Sequence, residues 1–578
     1  MNKSTPFFIL ISCLGVLFFL FFFRPIETED VWWHLSAGKW IMEHGQVPHT
    51  DPFPVAAEQN PWFCVHWLGS IILYLTSQIE GVAGLKIFRS LFFMAVIAVF
   101  LRYSWRRIPH VFSIILALLL ALALGNRVLL RPDIFNFIFI QLFLVVLFNY
   151  EKNPDPRKLF FLPAIGILWA NIHLGSFIYG GAIIFIFLLS AVAKVLEGGP
   201  KKPARDLFFL SLSYLGVFVM TPYGVEGFLY FFKVFLLPGF IGFYKTSNAV
   251  SESKSPAYMF LSFDYFYFLI LFALGLVTLI FNRRKNFTLV LLFIFSFFMF
   301  IYMARNCVFF ALAVVYIITE ILPSVNFKLD KILVKTAGIV LIIGLMLSLV
   351  SEAWRFNSPH LFYKNQFLAG LRAEDDFFSR ASINVLKENK ISGTVFNADF
   401  LGGLMLWSAY PSLKPFLDGR FLSQERFDGF VQTLKDPEEG WPALEAKYRF
   451  KALMLNVHNP IFNKFIQYIS ARPQAWQLIA IEGPLAVYVQ RNAFQLPPAL
   501  DRFEDELKVV MSSLEEEKRL EQMTITKADI FKKSFVKSMV RADLFTEGQT
   551  MLGLGFRAAA VKTLIKALQV SDGAVGPL

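Results

Sequence analysis

PFFILISCLGVLFFLFFFRPIETEDVWWHL, residues 6–35, opens with an apolar run from Pro6 to Phe23. That run is close to the length needed to cross about 30 Å of hydrocarbon. Arg24, Pro25 and Glu27 follow where a secretory signal would carry a small-residue cleavage site, so the run reads as a retained first span. Directly after it come Glu27, Glu29 and Asp30, then Val31-Trp32-Trp33-His34-Leu35. A membrane span that delivers acids and tryptophans to its far side decides how the rest of the chain is read.

Ten further apolar stretches follow in the first 354 residues, at 83–101, 109–126, 134–150, 159–172, 175–193, 207–221, 259–281, 287–303, 307–321 and 336–353. The composition agrees. Of 578 residues 56% are hydrophobic and 17% charged, and the mean hydropathy is +0.55. Phe alone occurs 68 times, and Phe18 to Phe23 could not face water without aggregating. A water-soluble enzyme is excluded. Charge orients the spans. With the N-terminus in the cytoplasm, the connectors on that side contain Arg102, Arg106 and Arg107; Lys152, Arg157 and Lys158; Lys194, Lys201, Lys202 and Arg205; Arg283, Arg284 and Lys285; and Lys328, Lys331 and Lys335. Each is basic, as cytoplasmic loops are. Residues through Trp354 hold 27 basic and 18 acidic side chains, against 28 and 25 after it. The net charge of +12 is therefore mainly loop bias, and no basic-aromatic patch of the nucleic-acid-binding kind occurs.

The expected architecture is an α-helical polytopic membrane protein of about eleven spans, with a C-terminal extracytoplasmic α/β domain and a helical tail. The membrane domain takes residues 1–354, including a large first outer loop at 24–82; the α/β domain takes 355–495 and the tail 496–578. In the outer loop, Glu29 to His44 and Pro61 to Ile79 read as helices lying in the interface. A second outer loop pairs Phe228 to Phe243 with a polar tip, Thr246 to Pro256. After Trp354, Gly393 to Asn397 and Lys451 to Asn456 read as strands, and Trp476 to Ile481 with Leu485 to Gln490 as a hairpin. In the tail, Gly555 to Leu568 has the small-residue spacing of one tetratricopeptide-type helix, a candidate dock for a periplasmic protein partner.

Asp30 and His34 stand four apart on one helix face. A carboxylate there can deprotonate an acceptor hydroxyl while the His orients it. Equally, Asp30 can cap the helix from Val31 and His34 can hydrogen-bond at the interface; both readings hold together. Asp51 is a further acid of this loop. On the same side the turns between spans carry Arg127, Arg131-Pro132-Asp133, Asn171 with His173, and Arg305-Asn306. Arg suits bidentate phosphate recognition, so Arg127, Arg131 and Arg305 are candidates for a lipid-phosphate headgroup; as single residues they can equally anchor at the interface. His34, His44, His49 and His66 all fall in the first loop, but their spacing selects no metal site, and Cys13, Cys64 and Cys307 support neither a disulfide framework nor a thiolate site. Walker, GxGxxG, HExxH and GxSxG motifs are absent, so ATP-driven transport and zinc proteolysis are poorly supported.

Asp30-Val31-Trp32-Trp33-His34-Leu35, Gly38, His44-Gly45, Pro48, Asp51-Pro52-Phe53, Trp62 and His66-Trp67-Leu68 together resemble the first outer loop of bacterial polytopic proteins of the GT-C glycosyltransferase superfamily. Arg131-Pro132, Trp169-Ala170-Asn171-Ile172-His173, Pro222-Tyr223-Gly224, Arg305-Asn306, Gly402-Gly403 and Asp418-Gly419-Arg420 extend the likeness over residues 6–490. The resemblance implies an inner-membrane enzyme with a sugar donor on a polyprenyl phosphate and Asp30 as catalytic base or metal ligand, which leaves a divalent metal ion open as a cofactor. With it, His34 and Asp51 are catalytic candidates, and Asn171, His173, Asp418 and Arg420 candidates for binding the acceptor or substrate. The competing expectation is a non-catalytic protein on the same scaffold that binds or transports a lipid-linked glycan.

Overall fold

The structure, a computed structural model, describes residues 5–24, 26, 28–55, 60–236, 266–282, 286–324, 331–357, 377–420, 422–457, 459–482 and 485–491. Two compact units are distinguished: Met1–Arg24, Ala37–Val47 and Phe63–Phe356 in one, and Pro25–Ser36, Pro48–Trp62 and Asn357–Leu578 in the other. Two stretches of the first outer loop therefore cluster with the C-terminal part of the chain. The tail 496–578, the tip Thr246 to Pro256, the end of Phe228 to Phe243, and Glu27 lie outside the described residues.

The first unit is helical. Its elements are α1 (Thr5–Phe22), the end of α2 (Asp30–His44), α3 (Trp67–Ser77), α4 (Gly81–Trp105), α5 (His110–Leu124), α6 (Asn136–Lys152), α7 (Phe161–Ile172), α8 (Ile178–Leu196), α9 (Lys201–Gly216), α10 (Gly224–Leu236), α11 (Phe266–Ile280), α12 (Phe287–Tyr302), α13 (Cys307–Ile321) and α14 (Lys331–Asn357). Each of the eleven apolar stretches overlaps a helix in its described part. Five described helices are long and apolar enough to cross a membrane, or six if one bent pair counts as a single span. The 307–321 stretch, short in sequence, gains turns at both ends and runs as Ala304–Ser324, 21 residues. By contrast α7 has 12 residues, about 18 Å of helix, less than the hydrocarbon thickness. The bent pair, Lys201–Val219 and Gly224–Tyr230, meets at 102°. Pro222 and Gly224, the latter at φ +49°, break the helix there.

Helices α5 and α13 form the centre, since every residue of Ser113–Leu124 and of Cys307–Thr319 is buried. A helix apolar on all sides belongs inside. At one end of the bundle Glu320 gathers Tyr103 (OH to Oε1, 2.6 Å), Arg107 (3.2 Å) and Lys152 (2.6 Å), while Lys194 and Thr288 reach Glu151 at 2.7 and 2.9 Å. The connectors following α4, α6 and α8 and the start of α12 thus share that end.

The second unit holds a five-stranded sheet: β1 (Gly393–Asn397), β2 (Leu413–Pro415), β3 (Ala452–Asn456), β4 (Trp476–Glu482) and β5 (Leu485–Gln490), in the order β2-β1-β3-β5-β4. β1 runs parallel to β2 and β3, and β5 runs antiparallel to β3 and β4. α15 (Phe377–Glu388) precedes it, α16 (Asp399–Ser408) links β1 to β2, and α17 (Gln424–Lys435) and α18 (Pro437–Tyr448) lead to β3. Phe396 anchors the core, with the rings of Phe416, Phe430, Trp441, Phe450 and Phe465 at 5.0 to 5.6 Å. The helix expected over Pro61 to Ile79 is shorter than the pattern suggests. Thr50 bridges Pro61, and Trp62 N donates to His49 O at 2.9 Å, so Pro61 and Trp62 are extended and α3 begins only at Trp67.

Candidate functional site

In the first unit the candidate residues lie in the turns at the bundle end opposite Glu320. Arg127 sits 3.5 Å from Asp133, and Arg131 is held extended by the Pro132 that follows it. Asn171 is buried and its amide is engaged: Oδ1 accepts from Trp67 Nε1 at 3.0 Å, and Nδ2 donates to Ile167 O and Met220 O. It ties α3, α7 and the Met220 segment together.

His173 Nδ1 accepts from Ser176 N at 3.1 Å, and its ring meets that of His66 edge-on at 4.5 Å. Burial, then the Arg305 charge, pushes the His173 imidazole down to about 4. His66 falls well below its ordinary value through burial, with His173 and Arg131 adding to the effect and Asp133 opposing it. At neutral pH both rings are uncharged. With Nδ1 as acceptor, the His173 tautomer assigned from this bond carries its proton on Nε2 and offers an uncharged donor. Arg305 is exposed, and its Nε lies 3.1 Å from Met303 Sδ. Tyr179, which donates to Asn306 Oδ1 at 2.5 Å, feels Arg305, Arg127 and Asp133 together. Arg127, Arg131, Arg305, His66 and His173 are thus one electrostatic group around Asp133. Nothing local in the sequence pairs His66 with His173; only the fold brings the two rings together.

In the second unit Asp30 opens α2, half-buried, with Oδ1 accepting from Trp33 Nε1 at 3.0 Å. The Trp33 ring touches His34 and meets Trp62 edge-on at 6.4 Å. His34 is 3% exposed. Asp51, Asp418 and Arg420 come together. Arg420 donates to Asp418 through Nε (2.8 Å) and Nη2 (2.9 Å) and to Asp51 Oδ1 through Nη1 (2.7 Å), while Phe53 and Trp62 flank the guanidinium at 5.1 and 4.9 Å. Burial alone would raise Asp418, but Arg420 holds its carboxyl below the usual range. The side chains of Arg420, Asp51 and Asp418 are 2%, 1% and 7% exposed, so the triad is sealed. Asp51 and His34, expected to act with Asp30, and Asp418 and Arg420, expected to touch acceptor, are shielded from solvent; Asp30 keeps an open side. Asn397, unnoticed in the sequence, accepts from Phe416 N and donates to Leu417 O, setting the segment that leads into Asp418.

Among the described residues no three His, Cys, Asp or Glu side chains are placed to hold a metal ion. Of the acids expected in the site, Asp51 and Asp418 are both bound to Arg420.

Neither a family model nor a curated protein sequence matches the chain. Solved structures do. An oligosaccharyltransferase of Archaeoglobus fulgidus tethered to an acceptor peptide with the NVT sequon gives a TM-score of 0.51 at 12% identity, over 98% of this chain and 87% of that one. The fold is GT-C-like. The same organism's AglB, with an inhibitory peptide and a dolichol-phosphate, gives 0.48 at 11% identity over 96% and 86%. ArnT from Cupriavidus metallidurans, bound to undecaprenyl phosphate, gives 0.49 at 12% over 86% and 100%.

Proposed function

We propose that the protein is a glycosyltransferase of the bacterial inner membrane that moves a sugar from a polyprenyl phosphate to a cell-envelope glycan, lipid or protein on the outer face. The basic connectors gathered at the Glu320 end support a cytoplasmic N-terminus. The observation that carries the reading is Asp30, the one of the three loop candidates Asp30, His34 and Asp51 that keeps a solvent-facing side. It takes the proton of the acceptor hydroxyl as that oxygen attacks the anomeric carbon. The bond from that carbon to the donor phosphate breaks, and the phosphate leaves with the electron pair. A phosphate is a good leaving group when cations receive it, so no second carboxyl is needed as acid. Arg127, Arg131 and Arg305 of the first unit are the candidates for binding the donor's phosphate, since guanidinium groups suit that charge.

The test is transfer from polyprenyl-phosphate sugars by the full chain in nanodiscs. Asp30→Asn is expected to lower the rate by about 10²–10⁴-fold, the contribution of a positioned base. Undiminished transfer sinks the base assignment. Lipid binding without transfer from any donor supports a non-catalytic carrier of lipid-linked glycans instead.

A further inference from the structure

The Asp418-Gly419-Arg420 turn follows β2 at the carboxyl ends of the parallel strands, the side of an open α/β sheet where function usually sits. Three sets of contacts fix it. Asn397 and Arg426 bind the backbone of Phe416 and Leu417, which feeds the turn. Arg420 closes on Asp418, its neighbour, and on Asp51, 369 residues earlier in the chain. The third set consists of glycines. A Cβ on Gly419 would lie 2.5 Å from Asp30 Oδ1 and 3.3 Å from Trp33 Nε1, so the turn backbone presses on both partners of the Asp30–Trp33 hydrogen bond. On α16, a Cβ at Gly402 would strike Leu417 O and Asp418, and one at Gly403 would lie 2.9 Å from Glu29 O. The Gly-Gly step thus spaces the start of α2 from the turn.

We infer that the Asp418-Gly419-Arg420 turn, locked by Asp51 and spaced by Gly402-Gly403, is a positioning device that fixes the Asp30 carboxylate and its Trp33 partner for proton abstraction. The inference rests on the reading of Asp30 as base. Arg420 and Asp418 then serve the reaction without touching the acceptor, and Gly419 matters because any side chain there displaces the base.

Variants at the turn, at its lock and in the sheet core test this, with Asp30→Asn as the reference. Gly419→Ala should lower kcat by about 10²-fold, the cost of a roughly 1 Å misplacement, and leave the KM for the lipid donor unchanged. It should also move the fluorine resonance of Trp33 in fluorotryptophan-labelled protein, identified by its loss in Trp33→Phe. Asp51→Asn, which keeps the shape and weakens the Arg420 lock, should do the same to a smaller degree and stands in if Gly419→Ala fails to fold. Phe430→Leu, in the sheet core, should lower the melting temperature with neither kcat nor the Trp33 resonance altered. If Asp30→Asn abolishes transfer while Gly419→Ala and Asp51→Asn keep wild-type kcat and Trp33 resonance, the positioning role is overturned and the base reading stands. If Asp30→Asn has no effect on transfer, the base reading falls and this inference with it. A Phe430→Leu variant that reproduces the Gly419→Ala signature would also overturn it, because the effect would then be general destabilisation.

Discussion

Asp418 in the sheet unit and His173 in the helical unit are both held at low proton affinity, for opposite reasons. Arg420 stabilises the Asp418 carboxylate in its charged form, against burial that favours neutrality. At His173 burial and the Arg305 charge favour the uncharged ring. One unit compensates a buried charge and the other discharges it. The lesson is that a lowered proton affinity does not by itself tell whether a group is present as an ion; the cause must be named.

The largest test of this contrast is Arg420→Ala. It leaves two buried carboxylates without their cation and should destabilise the sheet unit by about 3–5 kcal/mol, read as lost resistance to denaturant. If the loss is under about 1 kcal/mol, the triad is not the compensated charge described here. Next comes acid. The gap between the ordinary 6.5 and about 4 at His173 corresponds to roughly 3 kcal/mol. A neutral folded imidazole gives stability that is present above the unfolded value and is lost as pH falls from about 6.5 toward 4. Asp418 gives stability that is present above the unfolded carboxyl value near 3.9 and is lost only below it. Acid should therefore loosen the helical unit before the sheet unit, in two separable transitions followed by hydrogen exchange. His173→Asn, which can still accept from Ser176 N, should remove much of the first transition and spare the second. The smallest effect belongs to Lys39→Ala, whose partner Glu43 is 3.8 Å away with both side chains about half exposed; it should change stability by less than about 0.5 kcal/mol.

Much of this was legible in the sequence where the signal is local. Helices α5 and α13 are apolar on every side, and β1, β3, β4 and β5 carry dense apolar runs, so each declared itself. β2 did not, because Leu413-Lys414-Pro415 is three residues long and ends in a proline that reads as a breaker. Pro61 to His66 misled for a related reason: Trp62 falls in helical period with Trp67, Leu68 and Ile71, yet its backbone is extended, its N–H donating to His49 O. In the candidate site, Asp30 was visible beside its span. Its surroundings were not. The pairing of Asp51 with Arg420, the meeting of His66 with His173, and the fit of Gly403 against Glu29 join residues far apart in the chain, and nothing in the spacing of either partner predicts the other.

The distance between Asp51 and Arg420 also has a meaning in time. At about 5–20 residues per second of synthesis, 369 residues take roughly 20 to 70 s. Over that interval the first loop exists with its carboxylate but without its cation. A nascent chain halted before Arg420 carries Asp30 and Trp33 with no turn to seat them. The Asp51–Arg420 pair thus forms only after every described helix of the first unit has been synthesised.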